Sequence, residues 1–324
     1  MFFSLDILIV LFLFWILGTF FGSFSTVLIE RWHSHKWGIM FWRSECPSCH
    51  RELSVLSLIP IFSYIFQRGR CRHCQKHISV FYPIAEWLMG AIFTWVWYFI
   101  LSRGIDVFSF QSLILLFLWF VTGVYMLYDA RYMEVPDEIV IPAIYGYSIL
   151  LLCVSIYPSF APDLMYDLST YTSGVDGLFY DHILAAILFY TFLYIQILIP
   201  GSIFLLKKWR YKDFFSLLGS YFFFPFMLIT FLWRKEDMSR WTEEIPTWVG
   251  WGDLRIGLLI GLTLGTLHGF MAFALAYITG SIVGILIMAS RKKGANSQIP
   301  FGPFLGFWWI ASIIFYDTIL SWFL

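Results

Sequence analysis

The chain has 324 residues, of which 60% are hydrophobic, 22% aromatic and only 13% charged. Soluble domains are roughly half apolar and about a quarter charged, so this composition excludes a water-soluble globule, a disordered chain and a coiled coil. With 21 basic and 21 acidic residues the formal net charge is +0, which gives no bulk attraction to nucleic acid and leaves any charge signal to placement.

A polytopic all-α membrane protein remains. A spanning helix needs about 20 mostly apolar residues, and the first such run is 5–29. It is too long for the apolar core of a secretory signal, has no basic head and ends without a small-residue cleavage pattern, so it reads as a retained anchor. The next stretch, 30–81, is the one long polar segment and the expected place for a small soluble domain. Four of the five cysteines lie in it, as Cys46-Pro-Ser-Cys49 and Cys71-Arg-His-Cys74, two pairs separated by 21 residues. Each pair puts two thiolates on one tight turn, and two pairs complete a closed tetrahedral cage for structural zinc. Two disulfides are the alternative. So small a segment buries too little apolar surface to fold unaided, so metal would supply much of its folding free energy. His50, His73 and His77 stand beside the knuckles, where four cysteines already fill the cage.

Spans follow at 82–101 and 109–128, and Asp129 comes directly after the latter. The run 139–157 contains Cys153, expected to be a packing residue. The loop 158–181 holds Asp163, Asp167, Asp176 and Asp181 with no Lys or Arg. After the span 182–206 comes a longer connection, 207–247, whose apolar part, 214–233, has basic residues on both sides. Gly250-Trp251-Gly252-Asp253 then opens three final runs, 254–270, 271–289 and 299–324. The expected architecture is about eight transmembrane helices. It divides into a first helix over 1–29, a zinc-ribbon-like segment over 30–81 and a membrane-embedded domain over 82–324 with an insertion at about 207–247. His182 and His268 fall at span ends, where an interfacial role is expected.

Cytoplasmic loops carry the excess of Lys and Arg. Basic residues cluster in 31–76, 207–212, 234–240 and 291–293, whereas 158–181 is purely acidic. These clusters put the N-terminus outside and the cysteine segment, Asp129 and Asp253 at the cytoplasmic face. For the two aspartates to share a face, the crossings between them must be even in number. The runs 139–157 and 182–206 already make two, so 214–233 is expected to be re-entrant or membrane-lying.

An ionisable residue at the edge of the hydrocarbon is costly and marks function by default. Two carboxylates meeting in a partly dehydrated site share one proton. One can then activate water while the other protonates a carbonyl, which is aspartic-protease chemistry. Gly250 and Gly252, with no side-chain bulk, would let a substrate backbone approach Asp253. The alternative is that Asp129 and Asp253 are simply helix-end charges.

In chain order the motifs are Gly22-Ser23-Phe24, the two cysteine pairs, Ile59-Pro60, Ser63-Tyr64, Arg68-Gly69-Arg70-Cys71, Ile78-Ser79, Tyr82-Pro83-Ile84-Ala85-Glu86, Asp129 with Pro136-Asp137, Gly250-Trp251-Gly252-Asp253-Leu254-Arg255 and Pro300-Phe301-Gly302-Pro303-Phe304. This string resembles the type IV prepilin peptidases, bifunctional leader peptidases and N-methyltransferases of bacterial pilus and type II secretion systems. The resemblance implies that Asp129 and Asp253 are the catalytic aspartates of a GxGD-type intramembrane protease, supported by Asp137, Gly250 and Gly252. It implies prepilin or pseudopilin substrates, the bacterial inner membrane, and S-adenosylmethionine as methyl donor. Gly69, Arg70 and Glu86 are the candidates for methyl transfer. Glu30-Arg31 departs from the family, which has tyrosine-arginine or histidine-arginine there, and Ser25 and Thr26 stand where an asparagine is usual. Two other classes compete: a GxGD protease resembling presenilin or signal peptide peptidase, and a non-enzymatic zinc-ribbon membrane scaffold or transporter.

Overall fold

The computed structural model describes residues 5–34, 44–46, 48–104, 106, 109–156, 175–208, 211, 213–215, 217–218, 248–289 and 300–315. The chain divides into two compact units, Met1–Arg131 and Tyr132–Leu324. Among the described residues there are helices and two isolated β-bridges, with no extended strand.

The first unit contains α1 (Leu5–His33), a 3-10 turn (Val55–Leu58), the short α2 (Phe62–Phe66), α3 (Phe81–Ser102) and α4 (Phe110–Tyr132). Helix α1 runs past Ile29, so Glu30 and Arg31 belong to the helix and not to the polar segment. Gly18 and Gly22 lie one turn apart on α1, at its crossing with α3. A Cβ at Gly22 would stand 2.6 Å from the Glu86 Cα, and one at Gly18 would stand 2.8 Å from the Gly90 Cα. Without a hydrophobic drive between helices in lipid, such close backbone packing is what holds them together. Stacked rings add to it, Phe14 on Trp97 at 3.8 Å and Phe21 on Phe93 at 4.7 Å. The opposite side of α1 leaves Leu8, Ile9, Phe12 and Leu13 exposed, the apolar surface that a lipid-facing helix presents.

The second unit contains α5 (Asp137–Ile156), α6 (Val175–Lys207), α7 (Asp253–Ala289) and α8 (Gly302–Ile314). Helix α7 is broken at Gly265, where φ is 70° and ψ is −171°. Its two arms, 253–264 and 266–289, fold back on each other. Along the first arm Gly257, Gly261 and Gly265 meet Leu193, Ala186 and Asp181, in descending order on α6. Along the second, Phe273 stacks on Phe189 at 4.6 Å and the Tyr277 hydroxyl donates to Gln196 at 3.1 Å, in ascending order. The sequence-based division of this run at 270/271 is therefore corrected to Gly265.

Breaking a helix within an apolar bundle frees backbone groups that no water can satisfy. Asp181 and His182 satisfy them. The Asp181 carboxylate accepts the Thr266 N–H at 3.1 Å and the Thr266 hydroxyl, while His182 Nδ1 donates to the Leu262 carbonyl oxygen at 2.5 Å. His182 is 2% exposed, so it is a buried anchor of the hairpin rather than the interfacial residue expected. Cys153 is exposed on α5 and not a packing residue.

Among the described residues six helices are long and apolar enough to cross a membrane, α7 counted once, with α8 a shorter apolar helix. Against the expectation of about eight transmembrane helices, six of the described helices have spanning length, and the division of α7 at Gly265 and the short α8 supply two further apolar stretches below that length. Most of 214–233 and the end of the last run lie outside the described residues. Leu217 is described: it is buried with Leu205 against Leu198, Phe204, Phe214 and Trp251.

Candidate functional site

The two cysteine knuckles are built alike. In the first, the Cys46 N–H donates to the Arg51 carbonyl and the His50 N–H to the Cys46 carbonyl; in the second, Cys71 and Gln75 repeat both bonds with Lys76 and Cys71. His50 (φ 54°) and Gln75 (φ 58°) take the left-handed turn after each pair, and the bridges Glu45↔Glu52 and Arg70↔His77 close each base. The Sγ atoms of Cys46, Cys49, Cys71 and Cys74 all lie within 4.8 Å of one another, with Cys46 and Cys74 at 4.0 Å. A tetrahedral zinc with sulfur ligands at about 2.3 Å requires an S···S edge of about 3.8 Å, so these four residues fit a metal with little movement. The sulfurs are free thiols rather than disulfides. Backbone N–H groups of Cys74 and then His73 donate to the Cys71 sulfur and hold its thiol down at about 6. Cys49 also has a backbone donor, from Arg51, but desolvation and the Cys46, Cys74 and Cys71 thiols outweigh it and push it up to about 11. Gathered sulfurs of this kind resist ionising together unless a cation joins them.

Gly69 and Glu86 have packing roles. Gly69 is buried at φ 65°, and a Cβ there would stand 2.9 Å from the Tyr64 hydroxyl oxygen. Its carbonyl accepts the Ile78 N–H at 2.8 Å, so it closes the second knuckle. The Glu86 carboxylate, 8% exposed on α3, accepts the Ile61 N–H at 2.6 Å. That bond holds Ile61 at φ 61°, a conformation a β-branched residue adopts only under constraint. Arg70 is exposed.

Asp129 is 6% exposed and lies on the last turn of α4, inside the helix rather than after it. Two residues on, the Arg131 guanidinium pairs with Glu30 of α1 and lies over the Phe81 ring, 4.5 Å from its centroid. The Tyr82 hydroxyl donates to the same carboxylate at 3.2 Å. Composition gave no hint of this cluster, although Glu30 is the chain's acidic departure at that place.

In the second unit Asp253 is the first residue of α7 and is 7% exposed. Its Oδ2 accepts the Gly250 N–H at 3.1 Å, and its own N–H donates to the Gly250 carbonyl at 3.1 Å. The carboxylate thus pins the turn that opens the helix. Gly252 packs on Val135: a Cβ at Gly252 would fall 2.5 Å from the Val135 Cγ2. Asp137, read as a supporting acid, is ion-paired with Arg255, and the two side chains are 19% and 18% exposed. The pair joins the start of α5 to the start of α7. Arg255 carries the position that sequence reasoning left without a role; an arginine two residues inside an apolar run needs a partner, and that was the available signal. Within the same unit, the Tyr277 ring lies 4.8 Å from that of Phe301, which places the Pro300-Phe301-Gly302 entry of α8 against the second arm.

Residues 16–100 match the family described as Bacterial Peptidase A24 N-terminal domain. The chain is 26% identical over 290 residues to "Prepilin leader peptidase/N-methyltransferase" of Aeromonas salmonicida (strain A449), covering 89% of this chain and 77% of that protein. A protein of the same description in Bacillus subtilis (strain 168) is 24% identical over 282 residues, with 87% and 85% covered. Another in Stutzerimonas stutzeri is 24% identical over 321 residues, with 91% and 88% covered. No solved structure matches the chain.

Proposed function

We propose that the chain is a type IV prepilin peptidase, which cleaves the leader from prepilins or pseudopilins and N-methylates the new N-terminus; its similarity to the prepilin leader peptidase/N-methyltransferases supports this reading. The observation that carries the peptidase reading is Asp253, a 7% exposed carboxylate held by the Gly250 N–H at the head of an apolar arm. A buried acid at that place is costly unless the protein uses it. In this reading Asp129 and Asp253 are the two catalytic carboxylates. One, ionised, takes a proton from the hydrolytic water; the other, protonated, donates to the scissile carbonyl oxygen. The Asp137–Arg255 pair and the Gly252–Val135 contact hold the Asp253 turn in place, so Asp137 is a positioning residue.

Zinc is the metal that Cys46, Cys49, Cys71 and Cys74 would hold, in a closed four-sulfur site with no position for substrate; bound there it supplies folding free energy and no chemistry. S-adenosylmethionine is the second substrate. Because Gly69 and Glu86 are committed to the fold of the segment, Arg70 is the candidate that offers a free-facing guanidinium to a carboxylate of donor or peptide. The orientation puts the cysteine segment and both aspartates on the cytoplasmic side of the inner membrane, where a leader's basic residues stay. In this reading the zinc segment, that part of 30–81 beyond the end of α1, and the peptidase domain over 82–324 divide the two activities.

Purified protein incubated with a prepilin and followed by mass spectrometry tests the reading. The expected product lacks its leader and gains one methyl group only with S-adenosylmethionine present. An intact prepilin overturns the peptidase assignment, and a leaderless but unmethylated product confines the chain to proteolysis.

A further inference from the structure

We propose that residues 55–66, between the two cysteine knuckles, form a membrane-docking element that lies in the bilayer interface, with the arginines that follow it binding anionic phospholipid headgroups. The element carries a run of outward apolar side chains: Val55 is 82% exposed, Phe66 78%, Ile65 62%, Leu56 61% and Phe62 52%. Single exposed apolar residues are ordinary, but a contiguous group marks a surface that something covers. Its depth identifies the cover. Ile61, at the centre, donates its N–H to Glu86 at 2.6 Å, and Glu86 is the sixth residue of the spanning helix that begins at Phe81. Five residues of helix advance about 7.5 Å along the axis. Elements that lie in a membrane surface bury themselves about 5–10 Å into the headgroup and acyl boundary, so the tether sets this apolar group at that level.

Charge points the same way. Arg68, Arg70, Arg72 and Lys76 follow the element and are all exposed, and no acidic residue occurs between Glu52 and Glu86. A basic, acid-free surface beside an apolar insert is complementary to an anionic leaflet. The proposal requires only that α1 and α3 span the bilayer, and stands independently of the peptidase reading.

The test places the photoreactive p-benzoylphenylalanine at position 66, and separately at 62, in the full-length protein reconstituted into phosphatidylethanolamine vesicles with or without phosphatidylglycerol. Mass spectrometry of the irradiated protein is expected to find phospholipid attached at both positions. The yield should fall several-fold when phosphatidylglycerol is omitted or when Arg68→Gln and Arg72→Gln are combined, with zinc content unchanged as the folding control. Absence of lipid adducts at both positions, or crosslinks to a second copy or another protein in their place, overturns membrane docking. A yield undiminished in the double variant overturns the headgroup assignment.

Discussion

Asp137 and Arg255 show how a single side chain changes meaning once its partner is known. As an isolated acid near Asp129, Asp137 reads as a supporting acid; paired with Arg255 it is a strut between two helix starts. Its replacement by alanine leaves the Arg255 guanidinium largely buried and without that counter-charge. Removing one member of a well-buried pair costs about 3–5 kcal/mol, and with roughly a fifth of each side chain exposed the cost is about 2 kcal/mol. Thermal unfolding of Asp137→Ala in detergent, against wild type, should show that loss, and cleavage should fall with it rather than vanish. Asp129→Asn and Asp253→Asn behave differently in the proposed reaction. Each keeps size and hydrogen-bonding shape but removes the titrating group, so leader cleavage should fall by roughly 10³–10⁴-fold, with normal membrane insertion. The same variants should still methylate a synthetic peptide that begins at the mature N-terminus. Retained cleavage would return both residues to the role of helix-end charges.

At the scale of the element, the broken helix α7 joins sequence to geometry. Hydropathy finds the apolar stretches because each is long and lacks charge, and residue spacing finds the cysteine knuckles because the pattern is chemically narrow, but neither finds the break in α7. Glycines at 257, 261, 265 and 269 recur every fourth residue through a uniformly apolar run, and nothing local distinguishes the one that reverses the chain. Gly257 and Gly261 admit α6, whereas Gly265 alone among the four takes a positive φ. The groups that make the reversal tolerable, Asp181 and His182, come from 80 or more positions earlier in the chain. The Glu30–Arg131 pair escaped for the same reason, since it depends on which helices adjoin. A Cβ at position 265 would both oppose the φ of 70° and collide with the Asp181 carboxylate. Gly265→Ala should therefore lower stability by at least about 1–2 kcal/mol, read as a lower unfolding midpoint. Gly146→Ala, where a Cβ meets nothing within 4 Å, is the matched control.

At the scale of the whole molecule, the cysteine segment is tied to α3 by the Glu86–Ile61 bond, and a metal seated among the four sulfurs would hold it a second way. Removal of the metal should unfold the knuckles while leaving the helices intact, so that chelation opens 44–76 to protease and leaves helical circular dichroism nearly unchanged. Thiol ligands must give up protons to bind, so zinc should also leave as pH falls, and raising the pH should restore it. Unchanged proteolysis after full metal removal would contradict this.

The first arm of α7 is buried on nearly every side, whereas the second leaves Ile278, Ile282, Ile285 and Leu286 outward. At 1.5 Å per residue, 12 residues reach about 18 Å, well short of the roughly 30 Å of hydrocarbon. A helix so short is tolerable because protein, rather than lipid, surrounds it. Asp253 therefore rides on a piston-like rod jacketed by its neighbours and insulated from the fluid around them. Changes of acyl length or saturation that tilt the outer helices should leave the surroundings of that carboxylate almost untouched.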